Sequence, residues 1–265
     1  MVLKMELQKL HDPANGQMRV VGLMSGSGTN LCKIIEHEYW LKQSRGTSPY
    51  TVIAIFSDNT QSKATEIGKK YDLPVVVRDI QAFYAARGKP RKDREVRIEF
   101  DSETVKVLSP FEATVAAYAG YMSFATEPLI TAFLGINVHP ADLSLTTEDG
   151  KRKYTGDRAV KKAIVAGEQS LRSTTHMIEN VVDYGRILMI SSPIEVMLPP
   201  EYHPTDEESL QRLVDEHQNR LKERGDWRIF PKTLEWIADG RYAVDSKSGQ
   251  LFFDGKPIPQ GIRLD

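Results

Sequence analysis

Short apolar runs alternate with amphipathic or charged stretches through the first two thirds of the chain. Arg19 to Met24 reads as a buried strand, and Leu31 to about Leu41 as a helix. Thr51 to Phe56 is a second strand, Lys63 to Tyr71 a helix, and Leu73 to Val77 a short third strand. A basic stretch over residues 87–97 reads as a solvated loop entering a helix that runs to about Leu108. Thr114 to Ala119 is a fourth strand. A short helix from Thr126 to Phe133 leads into a fifth strand that closes at Asn137-Val138-His139-Pro140. Asp157 to Ala166 reads as a helix, while Ser173 to Ile178 and Ile187 to Ile190 read as strands.

Strands and helices in alternation imply an α/β, Rossmann-like fold: an open, mostly parallel sheet with helices on both faces. From Pro199 the character changes. Glu207 to about Arg224 is a long charged helix, Phe230 to Ala238 another, and residues 242–253 a hairpin with Ser248-Gly249 at its turn. These form a small C-terminal helical and hairpin extension. Residues 1–17 carry the turn signal Asp12-Pro13-Ala14-Asn15-Gly16 and read as an N-terminal extension, leaving 18–265 as a single domain.

Composition narrows the partners. The 265 residues are 40% hydrophobic and 27% charged, ordinary for a globular protein, with a net charge of -1. That balance gives no bias toward nucleic acid or a membrane surface, so any anion site is local. The single cysteine, Cys32, forms no internal disulfide and fits a reducing, cytoplasmic setting. It lies in an expected helix and reads as packing. No signal peptide or membrane-spanning run is expected.

Two stretches carry candidate chemistry. Ser25-Gly26-Ser27-Gly28-Thr29-Asn30 sits between a strand and a helix, where glycine lets backbone approach an anion and the helix start offers free N–H groups. Leu31 occupies the last glycine position of a dinucleotide fingerprint, and no Gly-Lys-Ser/Thr follows. The loop therefore reads as a monophosphate cradle, with an ordinary capped glycine turn as the alternative. Asn137 and His139 share one face of their strand and stand where Pro140 ends it. Ligands of open α/β sheets bind at that carboxyl rim. A neutral amide and a proton carrier suit a reaction that builds charge on a carbonyl oxygen, the alternative being local backbone capping. Residues 141–157 make a connection longer than most, either a substrate-facing lid or a mobile insertion.

The separated pieces resemble one family, the folate-dependent phosphoribosylglycinamide formyltransferases, also called glycinamide ribonucleotide transformylases. Met24 to Leu31 is similar to that family's substrate-phosphate loop, and Ile136 to Pro140 to its Asn-x-His-Pro. Ser173 to Gly185 is similar to its Thr-Ser-x-His segment ending in Asp-Gly-Gly. Asp215-Glu216-His217 resembles its Gln-Glu-His, and Trp236 to Arg241 its Trp-x-Ala-Asp-Gly-Arg. The resemblance spans roughly residues 18–265 in consistent order.

It implies formyl transfer from 10-formyl-tetrahydrofolate, a co-substrate, to the primary amine of glycinamide ribonucleotide in purine biosynthesis. Asn137 and protonated His139 would stabilise the tetrahedral oxyanion, and Asp183 would sustain the imidazolium and relay protons. Gly28, Thr29 and Asn30 would take the substrate phosphate and Glu216 the ribose hydroxyls. Tyr121, Met122 and Phe124 would line the folate site, with backbone from Glu179 to Asp183. His176 would orient the active-site strands. No metal is implied. The partners would be small-molecule substrates, without nucleic acid or membrane, and a homodimer is compatible with this.

The chain also departs from the family pattern. Ala141-Asp142-Leu143-Ser144 replaces Ser-Leu-Leu-Pro, and the loop beyond is longer and includes Lys151-Arg152-Lys153. Tyr184 replaces a glycine, Ser123 stands where many members have arginine, and residues 219–229 carry an insertion. Formyl chemistry is thus better marked than the acceptor. The alternatives are a formyl-tetrahydrofolate hydrolase or a formyltransferase using another phosphorylated amine. A methionyl-tRNA formyltransferase and a non-catalytic sugar-phosphate-binding protein fit less of the pattern.

Overall fold

The computed structural model describes residues 6–199 and 206–264. The expected extension is therefore seen from residue 6 onward, and residues 1–5 lie outside the described set. Alternation in β2 (Met18–Met24) sends Val20 and Met24 to one face of the sheet and Val21 and Leu23 to the other, and all four are fully buried. The strand therefore needs cover on both sides. One face is covered by α1 (Thr29–Arg45), α2 (Ala64–Tyr71) and α8 (Trp227–Ala238), with Leu31, Ile34, Ile229, Phe230 and Leu234 in its core. The other lies under α3 (Ile80–Ala85), α4 (Arg94–Leu108) and α5 (Glu127–Ala132), through Ile80, Phe100 and Leu129.

The other strands are β1 (Leu7–Lys9), β3 (Tyr50–Ser57), β4 (Val75–Val77), β5 (Val115–Tyr118), β6 (Leu134–His139), β7 (Ser170–Leu171), β8 (Thr174–Met177), β9 (Ile187–Ile190), β10 (Ile194–Glu195), β11 (Tyr242–Asp245), β12 (Leu251–Phe253), β13 (Lys256–Pro257) and β14 (Ile262–Arg263). The remaining helices are α6 (Ala159–Val165) and α7 (Glu207–Leu221). The main sheet has eight strands in the order β14-β9-β8-β6-β5-β2-β3-β4. It is parallel except for β8, which runs against both neighbours. The expected mostly parallel α/β sheet is present, with that one reversal.

Two segments differ from their sequence reading. Residues 7–9 of the expected extension pair with 243–245, completing a four-stranded antiparallel sheet β1-β11-β12-β13. Helices α7 and α8 are joined by a π-helical segment, Lys222–Asp226, so the 219–229 insertion widens a continuous helical run. Among the described residues no helix is long and apolar enough to cross a membrane.

Candidate active site

Strands β2, β5 and β6 are parallel neighbours, so the glycine loop after β2 and the end of β6 share one rim of the sheet. Antiparallel β8 returns from that rim with His139 opposite Thr174 and Asn137 opposite His176. The amide nitrogen of Asn137 lies 3.2 Å from Nε2 of His176, whose Nδ1–H donates to the Met177 carbonyl at 2.8 Å. One Asn137 N–H is thus engaged and the other remains for a ligand.

Asp183 completes the group. It sits in a turn at φ +59°, a strained conformation for a residue with a side chain. Its Oδ2 is 3.4 Å from Nδ1 of His139 and its Oδ1 is 3.5 Å from Nε2 of His176. The Gly156 N–H donates to Oδ2 at 2.7 Å. Burial opposes the negative charge, but the His176 contact, the His139 ring and the Gly156 N–H outweigh it and hold the carboxyl down at about 2. His139 is 6% exposed, and burial pushes its ring below the ordinary imidazole value against the pull of Asp183 and the Tyr154 carbonyl.

Residues 141–157 fold over this group, so the long connection is packed against it rather than loose. Thr146 bridges Arg152, and Lys151 and Lys153 continue the turn with backbone bonds to Thr147 and Leu145. The Arg152 guanidinium donates to the carbonyls of Asp183 and, at 3.0 Å, Gly185, and stacks on the Tyr184 ring at 5.4 Å. Tyr184 Oη in turn accepts from the Arg152 N–H. The lid reaches the histidine itself: Nε2 of His139 donates to the Tyr154 carbonyl at 2.6 Å.

Across the rim, Gly28 adopts φ +67° and precedes α1 without a side-chain cap. The N–H groups of Thr29, Asn30 and Leu31 make no hydrogen bond, so the helix start presents free donors, as an anion site requires. The loop is held from behind. Ser25 Oγ donates to Asp58 at 2.6 Å and accepts from the Met122 N–H at 2.9 Å, and the Lys63 N–H donates to the Gly26 carbonyl at 3.0 Å.

Such a group, under a lid and at the rim of an open sheet, is equipped to stabilise a tetrahedral oxyanion and move one proton. The formyl transferase family profile matches residues 18–222. The chain belongs to the formyl transferase family. It is 25% identical over 244 residues to the phosphoribosylglycinamide formyltransferase of Haemophilus influenzae, covering 91% of this chain and 96% of that one. It is also 25% identical over 230 residues to the trifunctional purine biosynthetic protein adenosine-3 of Gallus gallus, covering 86% of this chain but 19% of that much longer protein. Among solved structures, glycinamide ribonucleotide transformylase 1 from Symbiobacterium toebii aligns with a TM-score of 0.63 at 23% identity, over 89% of this chain and 94% of that one. The phosphoribosylglycinamide formyltransferase from Anaplasma phagocytophilum aligns with a TM-score of 0.66 at 20% identity, over 94% and 99%. These two support the fold.

In this formyltransferase several expected site residues stand apart. Tyr121 is 8% exposed and belongs to the core: its ring packs on Phe56 and Tyr118, and its hydroxyl accepts from Arg97 at 3.0 Å. It does not line a site. Met122 and Phe124, at 75% and 42% exposed, do project at the rim, and Ser123 Oγ is committed to Asp58 at 2.5 Å. Glu179 pairs with Arg186 at 2.7 Å and lines a cleft of about 390 Å³ with Ile130, Asn180, Val181 and Tyr184.

Glu216 is exposed on α7 and makes no hydrogen bond or ion pair with the glycine loop. Besides Asp58 on Ser25, the carboxylate that reaches that loop is Asp226, in the π-helical segment. It accepts from Asn30 Nδ2 at 3.2 Å and from Ser173 Oγ at 2.5 Å. Asn30 thus spends its amide on the protein and leaves its backbone N–H to a ligand, while its buried Oδ1 has no partner. Asp226 is fully enclosed, and burial raises its carboxyl above the ordinary range despite both donors. Sequence reasoning missed Asp226, Ser173, Arg152 and Tyr154. The Ser-Gly pattern pointed only to its own loop, and nothing local in Lys222–Asp226 marks a carboxylate facing inward.

Proposed function

We propose that this formyltransferase passes the formyl group of 10-formyl-tetrahydrofolate to the primary amine of glycinamide ribonucleotide. The observation that carries the reading is the spacing of the two halves of the site. The free N–H groups of residues 29–31 and the His139 ring lie on one rim with only β5 between their strands. Two strand spacings are about 10 Å, a span that a ribose phosphate with a short amine-bearing arm can bridge. The names of the relatives agree with this assignment.

In the reaction the amine nitrogen attacks the formyl carbon and the carbonyl electrons move onto oxygen. The free Asn137 N–H and the His139 ring meet that oxyanion, whose developing charge, with Asp183, favours the imidazolium against the burial that lowers it in the free site. Collapse breaks the bond to the folate nitrogen, which takes up the proton lost by the amine, relayed through water beside the ionised Asp183. Asp183 is well suited to favour the imidazolium, since it stays ionised and lies beside His139 Nδ1. Nε2 must first exchange the Tyr154 carbonyl for the substrate oxygen, so the lid moves during turnover. Backbone donors at residues 29–31 hold the phosphate. Asp226 replaces Glu216 as the carboxylate near the sugar, because it is the one in contact with Asn30 at the start of α1. The folate lies against Met122, Phe124 and the 179–184 turn.

The test is formate-group transfer from 10-formyl-tetrahydrofolate, assayed with and without glycinamide ribonucleotide. Turnover that requires the amine and yields its formyl derivative supports the reading. Equal turnover in its absence replaces it with a hydrolase, and turnover only with a different phosphorylated amine replaces the acceptor.

A further inference from the structure

We propose that the cleft between the β7–β10 pair and the α7–α8 joint is a second anion site, taking a phosphate-bearing small molecule of nucleotide size. Its walls include Arg172, Arg220 and Arg224 together with Ile194, Val196 and Met197. None of these belongs to the catalytic group, the lid, the glycine loop or the 179–184 cleft.

The charges are unmatched. Arg172 is anchored by the carbonyls of Ser191, at 2.7 Å, and Leu264, at 3.4 Å. Arg220 leans on Nε2 of His217 at 3.4 Å, and Arg224 is exposed. Among the described residues no carboxylate pairs with any of the three, and Glu195 is the one acidic residue in the cleft wall. Guanidinium groups stay protonated and hydrogen-bond phosphate oxygens through a flat fork, so three of them facing one concavity call for a multiply charged oxyanion. In a chain whose net charge is -1 this is a local feature, not part of a broad basic face of the kind a nucleic acid needs.

The cleft is built rather than incidental. His217 is fully buried, its Nδ1–H donates to the Leu213 carbonyl at 2.9 Å, and its Nε2 accepts the Met197 N–H at 3.0 Å. One imidazole thereby ties the apolar wall to α7 and braces Arg220. The volume, about 780 Å³, exceeds what one phosphate fills and suits a ligand with a ring to lay against Val196 and Met197.

Position gives such a ligand a consequence. Arg172 immediately precedes Ser173, and Arg224 stands two residues before Asp226. Ser173 and Asp226 are bonded to each other and, through Asp226, to Asn30 of the glycine loop. An anion drawing the two arginines together acts on the pair that fixes Asn30.

Calorimetric titration of the full chain with adenosine triphosphate, without metal and at low salt, tests the site independently of the formyl-transfer reading. The expected result is saturable binding of one nucleotide per chain, displaced by inorganic pyrophosphate. Arg220→Ala/Arg224→Ala should weaken it at least tenfold, and Thr29→Pro, which deletes a free N–H of the glycine loop, should change it less than twofold. Both arginines are solvent-accessible, and an unchanged melting temperature verifies the fold of the double variant. Should that variant unfold, Arg220→Gln/Arg224→Gln carries the same expectation. Absence of saturable binding, failure of pyrophosphate to compete, or binding lost in Thr29→Pro and kept in the arginine variants would overturn the proposal.

Discussion

Asp183 concentrates three demands on one carboxylate. It is nearly buried, it occupies a left-handed backbone conformation, and it faces two imidazoles. Asp183→Asn, His139→Ala and Asn137→Ala should each lower single-turnover formyl transfer by on the order of 10²–10³ while changing folate affinity little, since their partners develop charge only in the transition state. The His139/Asp183 double variant should lose far less than the product of the single losses, because the two act as one unit. Full multiplicativity would instead mean independent roles. The same groups set an acid limit on stability. His139 titrates below its unfolded value, so its contribution is complete above pH about 6.5 and shrinks as pH falls below that. Asp183 is depressed, so its contribution is present above about 3.8 and is lost as pH falls toward 2. Denaturant unfolding between pH 7 and pH 3 should show stability dropping in both windows, with Asp183→Asn flattening the lower one. Asn137 and His139 were legible at the rim because strand alternation and a terminating proline fix where such side chains stand, whereas Asp183, in a left-handed turn, was marked only by the family resemblance. Glu216 was misread for a reason visible in its own helix: Leu210, Leu213, His217 and Leu221 form the buried stripe of α7, and position 216 lies off it.

The lid and the glycine loop are the elements whose behaviour decides access. Arg152 ties the lid to the 183–185 turn through two carbonyls and the Tyr184 ring. Arg152→Ala should free it, speeding hydrogen exchange at residues 154–156 and exposing His139 to imidazole-modifying reagents, with a raised KM for the folate donor. Unchanged exchange would show that Arg152 is not the fastener. The 141–157 segment was readable as long and polar, but its landing place depends on contacts 15 to 33 residues away, which no local pattern encodes. The glycine loop was readable as a cradle. What the sequence did not reveal is that a Cβ on Gly28 would stand 2.4 Å from Ile67 and 2.7 Å from Met24. A bulky residue there would damage packing as well as anion binding. Thr29→Pro, which deletes one free N–H at a helix position that tolerates proline, is the cleaner probe and should weaken phosphorylated-substrate binding selectively.

At the scale of the whole molecule, the joint between the first and last thirds of the chain is polar. Asp226, Ser173 and Asn30 meet there across separations of 53 and 196 residues. Its carboxylate is costly to bury, and its raised titration means that folding favours the protonated form. Asp226→Asn should therefore melt at the same temperature or higher, since the new amide can donate to the unpartnered Oδ1 of Asn30, yet bind the phosphorylated amine more weakly. A clear fall in melting temperature would show that the charge stabilises the fold. The order of strands and helices followed from alternation alone, whereas the reversal of β8, the pairing of residues 7–9 with 243–245 and this joint all rest on contacts far apart in sequence. The reversed strand has a further effect. Because His139 and Thr174 are ladder partners, the chain between them leaves and rejoins the sheet at one place, as the arm of a hairpin does. Its length can change at small entropic cost without altering the register of β6 and β8. A single residue inserted within β8 would instead turn His176 away from Asn137 and Asp183. The fold thus separates a stretch open to lengthening and diversification from a four-residue stretch in which no change of length is tolerated.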